Sequence, residues 1–299
     1  MKKLLYSRKL APYVFVLPFI LTFLVFWMVP IIKSVIMSTQ DILPGQTEFV
    51  ALDNYTRLFG DRIFKIAVAN SFKYMVGTLI LLIPIPMLLA CLINSKLANS
   101  KVAAIFKSAM FVPALTSVVV AGTIFRLIFG EMDTALMNQV IGLFGLEPIK
   151  WLKESTTGYI ALLALACWRW MGVNTMYFIA GLQSIPADYY EAATVDGANT
   201  LQKFRYITVP QLKPTIVYVL TISIYGGLAM FNESYMLYQG NNSPNNIGLT
   251  IVGYLYRQGI EKNDMGYASA VGVVLLVLVL VINIIQLVAT GTFKKEGGR

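Results

Sequence analysis

The stretch YASAVGVVLLVLVLVINIIQLVA, residues 267–289, runs for 23 residues without a charged side chain. A helix of about 20 mostly apolar residues is long enough to cross the hydrocarbon core of a bilayer. Five earlier stretches share this length and apolar character, at residues 12–38, 67–93, 103–129, 158–182 and 215–238. The sequence therefore predicts an all-α integral membrane protein, in which residues 1–299 form one domain with six transmembrane helices.

The overall composition argues against a soluble enzyme. Hydrophobic residues make up 57% of the 299 residues and charged residues 13%, whereas soluble domains carry about 25% charged residues; the mean hydropathy is +0.67. The chain has no histidine and two cysteines, which leaves little material for a metal site or a histidine-based triad. We expect no catalytic residue and no metal ligand, and we expect Cys91 and Cys167 to pack as small apolar side chains.

The distribution of the net charge of +9 along the chain predicts the orientation of the spans in the membrane. With the N-terminus in the cytoplasm, the cytoplasmic segments hold thirteen Lys and Arg residues but four acidic residues, as the positive-inside rule requires. The charge therefore predicts cytoplasmic N- and C-termini and no nucleic-acid partner. The outer segments 39–66 and 130–157 are long enough to hold short amphipathic helices.

One cytoplasmic loop, SIPADYYEAATVDGANTLQKFRYITVP at residues 184–210, has a helical pattern. Ser184 is a plausible cap for its first helix, and Gly197 can take the left-handed conformation that ends this helix. A second helix is expected to begin near Thr200 and to stop before Pro210. The pattern predicts a helix–turn–helix on the cytoplasmic surface.

Three parts of this loop form a recognisable motif: Glu191-Ala192-Ala193, Gly197 six residues after the glutamate, and Ile207-x-Val209-Pro210. The loop resembles the EAA loop of binding-protein-dependent ABC transporter permeases, with Val209 where leucine is usual. In that family the loop is a coupling helix that docks into a cleft of a separate ATPase subunit, and the resemblance implies a type I ABC importer permease fold. The implied ATPase-coupling residues are Glu191, Ala192, Ala193, Gly197, Ile207 and Pro210.

The resemblance covers roughly residues 10–290. Within the family, the chain is similar to the carbohydrate-uptake branch, specifically to the first of its two permeases. Segments 113–117, 168–172 and 242–248 are most similar to arabinose or arabino-oligosaccharide permeases. The resemblance implies a bacterial inner-membrane subunit that moves a sugar by alternating access. Its implied partners are a second permease in a heterodimer, a cytoplasmic ATPase dimer, an extracellular solute-binding protein, the sugar and the lipid bilayer.

The chain lacks the Gly-x-x-x-x-Gly-Lys-Ser/Thr pattern that cradles ATP phosphates. We therefore expect it to bind no cofactor and to be a non-catalytic subunit, with ATP and Mg²⁺ used by the partner ATPase.

Charged residues at membrane depth are candidates for function, and Arg169 and Glu233 fall inside predicted spans. They could pair and join two helices, line the sugar path, or lie at the outer interface. The resemblance places Arg169, Trp170 and Val173 in the span-four segment that contacts sugar, and Gly226 and Met230 in the matching part of span five. The substrate-path candidates are Arg169, Trp170, Val173, Asn174, Gly226, Met230 and Glu233.

Other interpretations remain open at this point. An ion-coupled secondary transporter is the main alternative, although such proteins need ion-coordinating groups at the midplane and repeated spans. A membrane-embedded hydrolase or transferase would need general acid–base residues that the spans lack. Lys203 and Arg205 are expected to lie near anionic lipid head groups, with a partner protein as the alternative.

Overall fold

The computed structural model describes residues 10–43, 45–94 and 100–293. Many of the cations behind the predicted orientation lie outside these described residues, at positions 2–9, 96 and 294–299. The chain forms two compact units. One comprises the chain up to Asp61 together with Leu255–Leu276, and the other comprises Arg62–Tyr254 and the chain from Val277 onward.

The described chain is mainly helical. Its helices are α1 Ala11–Met37, α2 Asp53–Gly60, α3 Arg62–Ile93, α4 Ser100–Leu115, α5 Val118–Ile128, α6 Leu136–Gly142, α7 Ser155–Gln183, α8 Ala187–Val195, α9 Thr200–Gln211, α10 Lys213–Leu228, α11 Asn232–Tyr238, α12 Ile251–Tyr256 and α13 Met265–Ala289. Strands β1 Gln40–Leu43 and β2 Gln46–Phe49 form an antiparallel hairpin between α1 and α2.

Helices cover all six predicted spans, but two of these spans are broken. α1, α3 and α13 are each long and apolar enough to cross a membrane. The third predicted span is broken where α4 meets α5 at 98°, and the fifth is broken between α10 and α11. A further bend of 64° between α9 and α10 lies just before the fifth predicted span. α7 has 29 residues and covers the fourth predicted span, although polar side chains in its middle lower its hydropathy. With each bent pair counted as one span, length and composition identify up to five spans among the described residues; α7 is long enough to cross a bilayer but is not one of the five.

The predicted third and fifth spans are therefore wrong as continuous helices. In the third, Pro113 lies inside α4, where its missing N–H leaves the Ala109 carbonyl without its usual partner. The helix ends two residues later, and Ser117 is extended before α5 begins. The predicted fifth span runs across the end of α10 at Leu228 and into α11.

In the first unit, the part of the predicted outer segment up to Asp61 contains the hairpin and α2. The short helix was predicted, but the hairpin was not, although Pro-Gly at positions 44–45 is a turn signal. Asn54 of α2 ties the segment to the end of α1, because its Nδ2 donates to the carbonyls of Ser38 and Gln40, each at 3.0 Å. Side chains of α1 are not buried against the described chain, which suits an apolar helix in lipid.

In the second unit, α7 packs against α3, α4, α10 and α11. Buried residues of α7 contribute to two apolar clusters, through Leu165 in one and Phe178 in the other. Gly172 lets α7 approach α4, since a Cβ at this position would collide with the Met110 carbonyl. Close approach at small residues is typical of helix pairs in membranes.

Candidate functional site

The predicted cytoplasmic helix–turn–helix is present as α8 and α9. Gly197 has φ +76°, as predicted for the residue that ends α8. Its N–H donates to the Thr194 carbonyl at 3.1 Å, and the Ala198 N–H donates to the Ala193 carbonyl at 2.9 Å. This is the hydrogen-bond pattern of a Schellman motif, which satisfies carbonyls at the end of a helix.

The second helix begins at Thr200, as predicted, and its start is well capped. The Asn199 side chain accepts from the Gln202 N–H at 2.9 Å, and the Gln202 side chain accepts from the Asn199 N–H at 2.7 Å. Such a reciprocal capping box fixes where a helix begins. Hydrogen bonds therefore fix both ends of the turn between α8 and α9.

Two details of the sequence prediction are wrong. Ser184 does not cap α8: it lies at the end of α7, where its Oγ donates to the Gly181 carbonyl at 2.7 Å, and Pro186 occupies the position before α8. α9 also continues through Pro210 to Gln211. The turn before Pro210, Phe204–Thr208, is a wider π turn. The backbone carbonyls that precede Pro210 are therefore spaced differently from those of a regular α-helix.

The predicted coupling residues differ in exposure. Glu191, Ala192 and Gly197 are exposed, whereas Ala193 is half-buried. On α9, Ile207 is half-buried and Pro210 is exposed. The start of the motif on α8 is thus accessible to another protein, while Ala193 and Ile207 also pack within the chain.

Arg169 and Glu233 form an ion pair that joins α7 to α11. Arg169 Nη1 lies 3.0 Å from Glu233 Oε1, and the two side chains are 13% and 11% exposed. The guanidinium carbon also lies 5.6 Å from the Trp170 ring centroid. Among the described residues, Arg169 Nε has no hydrogen-bond partner. The predicted pairing is therefore present, and the buried Nε of the guanidinium is without a partner among the described residues.

Asn174 makes a structural hydrogen bond. It is buried, and its Nδ2 donates to the Leu82 carbonyl at 2.7 Å. In a regular helix that carbonyl would accept from residue 86, but Pro86 has no N–H. Asn174 thus donates to a carbonyl that Pro86 leaves open, and this predicted path residue is used in helix packing.

The remaining path candidates occupy different surroundings. Trp170 is 42% exposed, and Val173 is half-buried on the same helix. Gly226 is exposed, with open space where a Cβ would lie. Met230 is buried in an apolar cluster, and its carbonyl accepts from Thr250 Oγ1 at 2.6 Å. The structure brings together Arg169, Trp170 and Glu233 but leaves Gly226 exposed and Met230 in the core.

The sequence reasoning missed Lys73, a charge inside the predicted span 67–93. Its side chain is exposed on α3, and its carbonyl accepts from the Tyr159 hydroxyl. A cavity of about 20 Å³ between Lys73, Asn70 and Tyr159 has room for one water molecule. The rule that selected Arg169 and Glu233 would also have selected Lys73.

Comparison with known proteins places these features in a family. The sequence matches the model for the inner membrane component of binding-protein-dependent transport systems over residues 82–290. The arabinooligosaccharides transport system permease protein AraP of Bacillus subtilis (strain 168) is 56% identical over 296 residues, covering 99% of this chain and 93% of that protein. The protein of the same name from Halalkalibacterium halodurans is 49% identical over 289 residues, covering 97% and 90%.

The fold is also similar to a chain in the crystal structure of a bacterial alginate ABC transporter in complex with an alginate pentasaccharide-bound periplasmic protein. The TM-score is 0.84 and the identity 25%, with 97% of each chain covered. These similarities confirm the predicted resemblance and fold class. The chain belongs to the family of binding-protein-dependent transport system inner membrane components.

Proposed function

We propose that this chain is one of two permease subunits in an ATP-driven importer of arabino-oligosaccharides. The observation that carries the proposal is the 56% identity to an arabinooligosaccharide permease over 99% of the chain. The α8–α9 hairpin supports it, because Glu191 and Ala192 of the EAA motif are exposed on a helix whose end is fixed by Gly197.

The partners follow from the same family relationship. A second permease completes the translocation path, and a cytoplasmic ATPase dimer binds and hydrolyses ATP with Mg²⁺. A solute-binding protein outside the membrane delivers the sugar, in the way that the related alginate transporter forms a complex with a pentasaccharide-bound periplasmic protein. The chain itself makes and breaks no covalent bond and binds no cofactor.

The chain resides in the inner membrane of a bacterium with both termini in the cytoplasm. This orientation places α8 and α9 on the ATPase side, with Lys203, Arg205 and Lys213 among the cytoplasmic cations. It places the segment around α6 outside, where the binding protein docks. Closure of the ATPase dimer displaces α8, and the spans then alternate between inward-open and outward-open states.

The sugar path includes the face of α7 around Arg169. The Arg169 side chain is 13% exposed, and the neighbouring Trp170 is 42% exposed. Sugars combine hydroxyl groups with apolar ring faces, so a donor beside an indole suits them. Glu233 holds the guanidinium in place through the 3.0 Å ion pair.

Reconstitution in proteoliposomes tests the proposal. The chain is combined with its second permease, the ATPase and the binding protein, and uptake of arabino-oligosaccharide is measured with ATP or a non-hydrolysable analogue. We expect uptake only with ATP and the binding protein. Uptake that persists without ATP and collapses when a proton ionophore is added would instead identify an ion-coupled secondary transporter.

A further inference from the structure

Four residues connect α8 to α9 through side-chain hydrogen bonds, and we call them the clamp: Tyr190, Thr194, Lys203 and Thr208. The Tyr190 hydroxyl lies 2.9 Å from Thr208 Oγ1, and the Lys203 ammonium donates to Thr194 Oγ1 at 2.8 Å. Each Thr hydroxyl in turn donates to a carbonyl of the clamp, Thr194 to Tyr190 at 2.6 Å and Thr208 to Lys203 at 3.4 Å. The hydrogen bonds therefore form a closed ring across the two helices.

The π turn Phe204–Thr208 makes this ring possible. Residues five apart lie on different faces of a regular helix, which has 3.6 residues per turn. A turn closed by an i→i+5 hydrogen bond brings such residues onto the same face. Lys203 and Thr208 can thus both face α8, where Tyr190 and Thr194 are one helical turn apart.

Apolar packing does not fill the space behind the hairpin. A cleft of about 550 Å³ lies there, lined by all four clamp residues and by Cys91, Asn94 and Leu182 from the ends of α3 and α7. Because this space is open, close packing against these helix ends does not hold α8 there. Beside the half-buried Ala193 and Ile207, the clamp and the capped turn connect α8 to α9 by hydrogen bonds.

α9 leads directly into α10, with a bend of 64° between them. A displacement of α8 reaches α10 only to the extent that α8 and α9 move as one body. We propose that the clamp is a positioning device, whose residues make the hairpin rigid enough to transmit the movement of the ATPase to the spans. This inference rests on the proposed function, since it concerns how the docked hairpin passes movement on.

The test uses the complete complex of this chain, the second permease, the ATPase and the binding protein, in proteoliposomes. Thr208→Val and Tyr190→Phe each remove the Tyr190–Thr208 bond with little change in shape. The readout is the number of sugar molecules taken up per ATP hydrolysed, together with the amount of ATPase that co-purifies. A purely structural role would lower the amount of complex without changing this ratio.

We expect each single variant to lower uptake per ATP about fivefold, as the loss of one partly buried hydrogen bond predicts. The double variant should be no worse than either single variant, because both remove the same bond. Thr208→Ser keeps the hydroxyl and should retain the wild-type ratio. Tyr206→Phe is the matched control, since Tyr206 lies on the same helix and is 71% exposed.

Lys203→Met provides an independent test, because it removes the other hydrogen bond of the clamp between the two helices, from Lys203 to Thr194. Lys203 is half-buried. Combined with Tyr190→Phe, Lys203→Met should lower the ratio further than either change alone. An unchanged ratio in this combined variant, with normal ATPase co-purification, would overturn the proposal, as would loss of co-purification in Thr208→Val. Failure of the proposed function is distinguishable, because the wild-type complex would then show no ATP-dependent uptake.

Discussion

The Arg169–Glu233 ion pair can be tested by replacing its members singly and together. The charged atoms are 3.0 Å apart and the side chains are 13% and 11% exposed. At this distance the attraction is about 5 kcal/mol for an effective dielectric constant of ~20, and desolvation of both charges offsets much of it. Removing one partner leaves the other charge buried, which costs about 3–5 kcal/mol.

The variants are Arg169→Met, Glu233→Leu and their combination, which replaces the pair with apolar side chains. We expect each single variant to be destabilised by about 3 kcal/mol or more, and the double variant to recover most of this loss. The free energy of unfolding is measured by SDS titration of the purified chain in mixed micelles. A double variant destabilised by the sum of the two single effects would refute the reasoning, because the charges would then not interact.

Sugar uptake by the same variants separates the two roles of Arg169. If the pair only joins α7 to α11, the double variant should regain uptake along with stability. Our account places Arg169 on the sugar path, so it predicts that stability returns while uptake at sub-saturating sugar stays low. Wild-type uptake by the double variant would assign the pair a structural role alone.

Three further predictions concern single positions. Asn174→Leu should destabilise the chain by about 1–3 kcal/mol in the same SDS titration, because the Leu82 carbonyl loses its donor; unchanged stability would contradict this. Gly197→Ala should lower the free energy of unfolding by only about 1–2 kcal/mol, because the φ of Gly197 is +76° and the space around it is open. Gly197→Pro should abolish ATPase co-purification. Equal co-purification by both variants would contradict this prediction. Asn138→Leu should accelerate trypsin cleavage of segment 130–157, which holds α6, because buried Asn138 accepts from Trp151 Nε1 at 2.8 Å and donates to nearby carbonyls. An unchanged cleavage rate would argue against this role.

The sequence predicted those features that depend on local pattern. Apolar length located the helices, and the single glycine at position 197 located the end of α8, because few other residues adopt positive φ there. The Arg169–Glu233 contact was foreseen as one alternative, since two opposite charges at membrane depth have strong reason to meet.

Features that depend on distant parts of the chain could not be predicted in this way. Asn174 was assigned to the sugar path because it lies near Arg169 in the fourth span. Its partner, the Leu82 carbonyl, lies 92 residues away and could not be foreseen. The clamp depends on a π turn, and no local signal in residues 204–208 distinguishes that turn from a regular helix. Lys203 was expected near lipid head groups, and its hydrogen bond to Thr194 was not predicted.

The claim that α8 docks onto a separate ATPase is tested most directly by photo-cross-linking. Ala192, which is exposed on α8, is replaced by benzoylphenylalanine in the assembled transporter. Phe144, which is 79% exposed and lies in the predicted outer segment, is replaced in a control. Our account predicts an adduct with the ATPase from position 192 and none from position 144. The absence of an ATPase adduct from position 192 in a transporter that takes up sugar would contradict it.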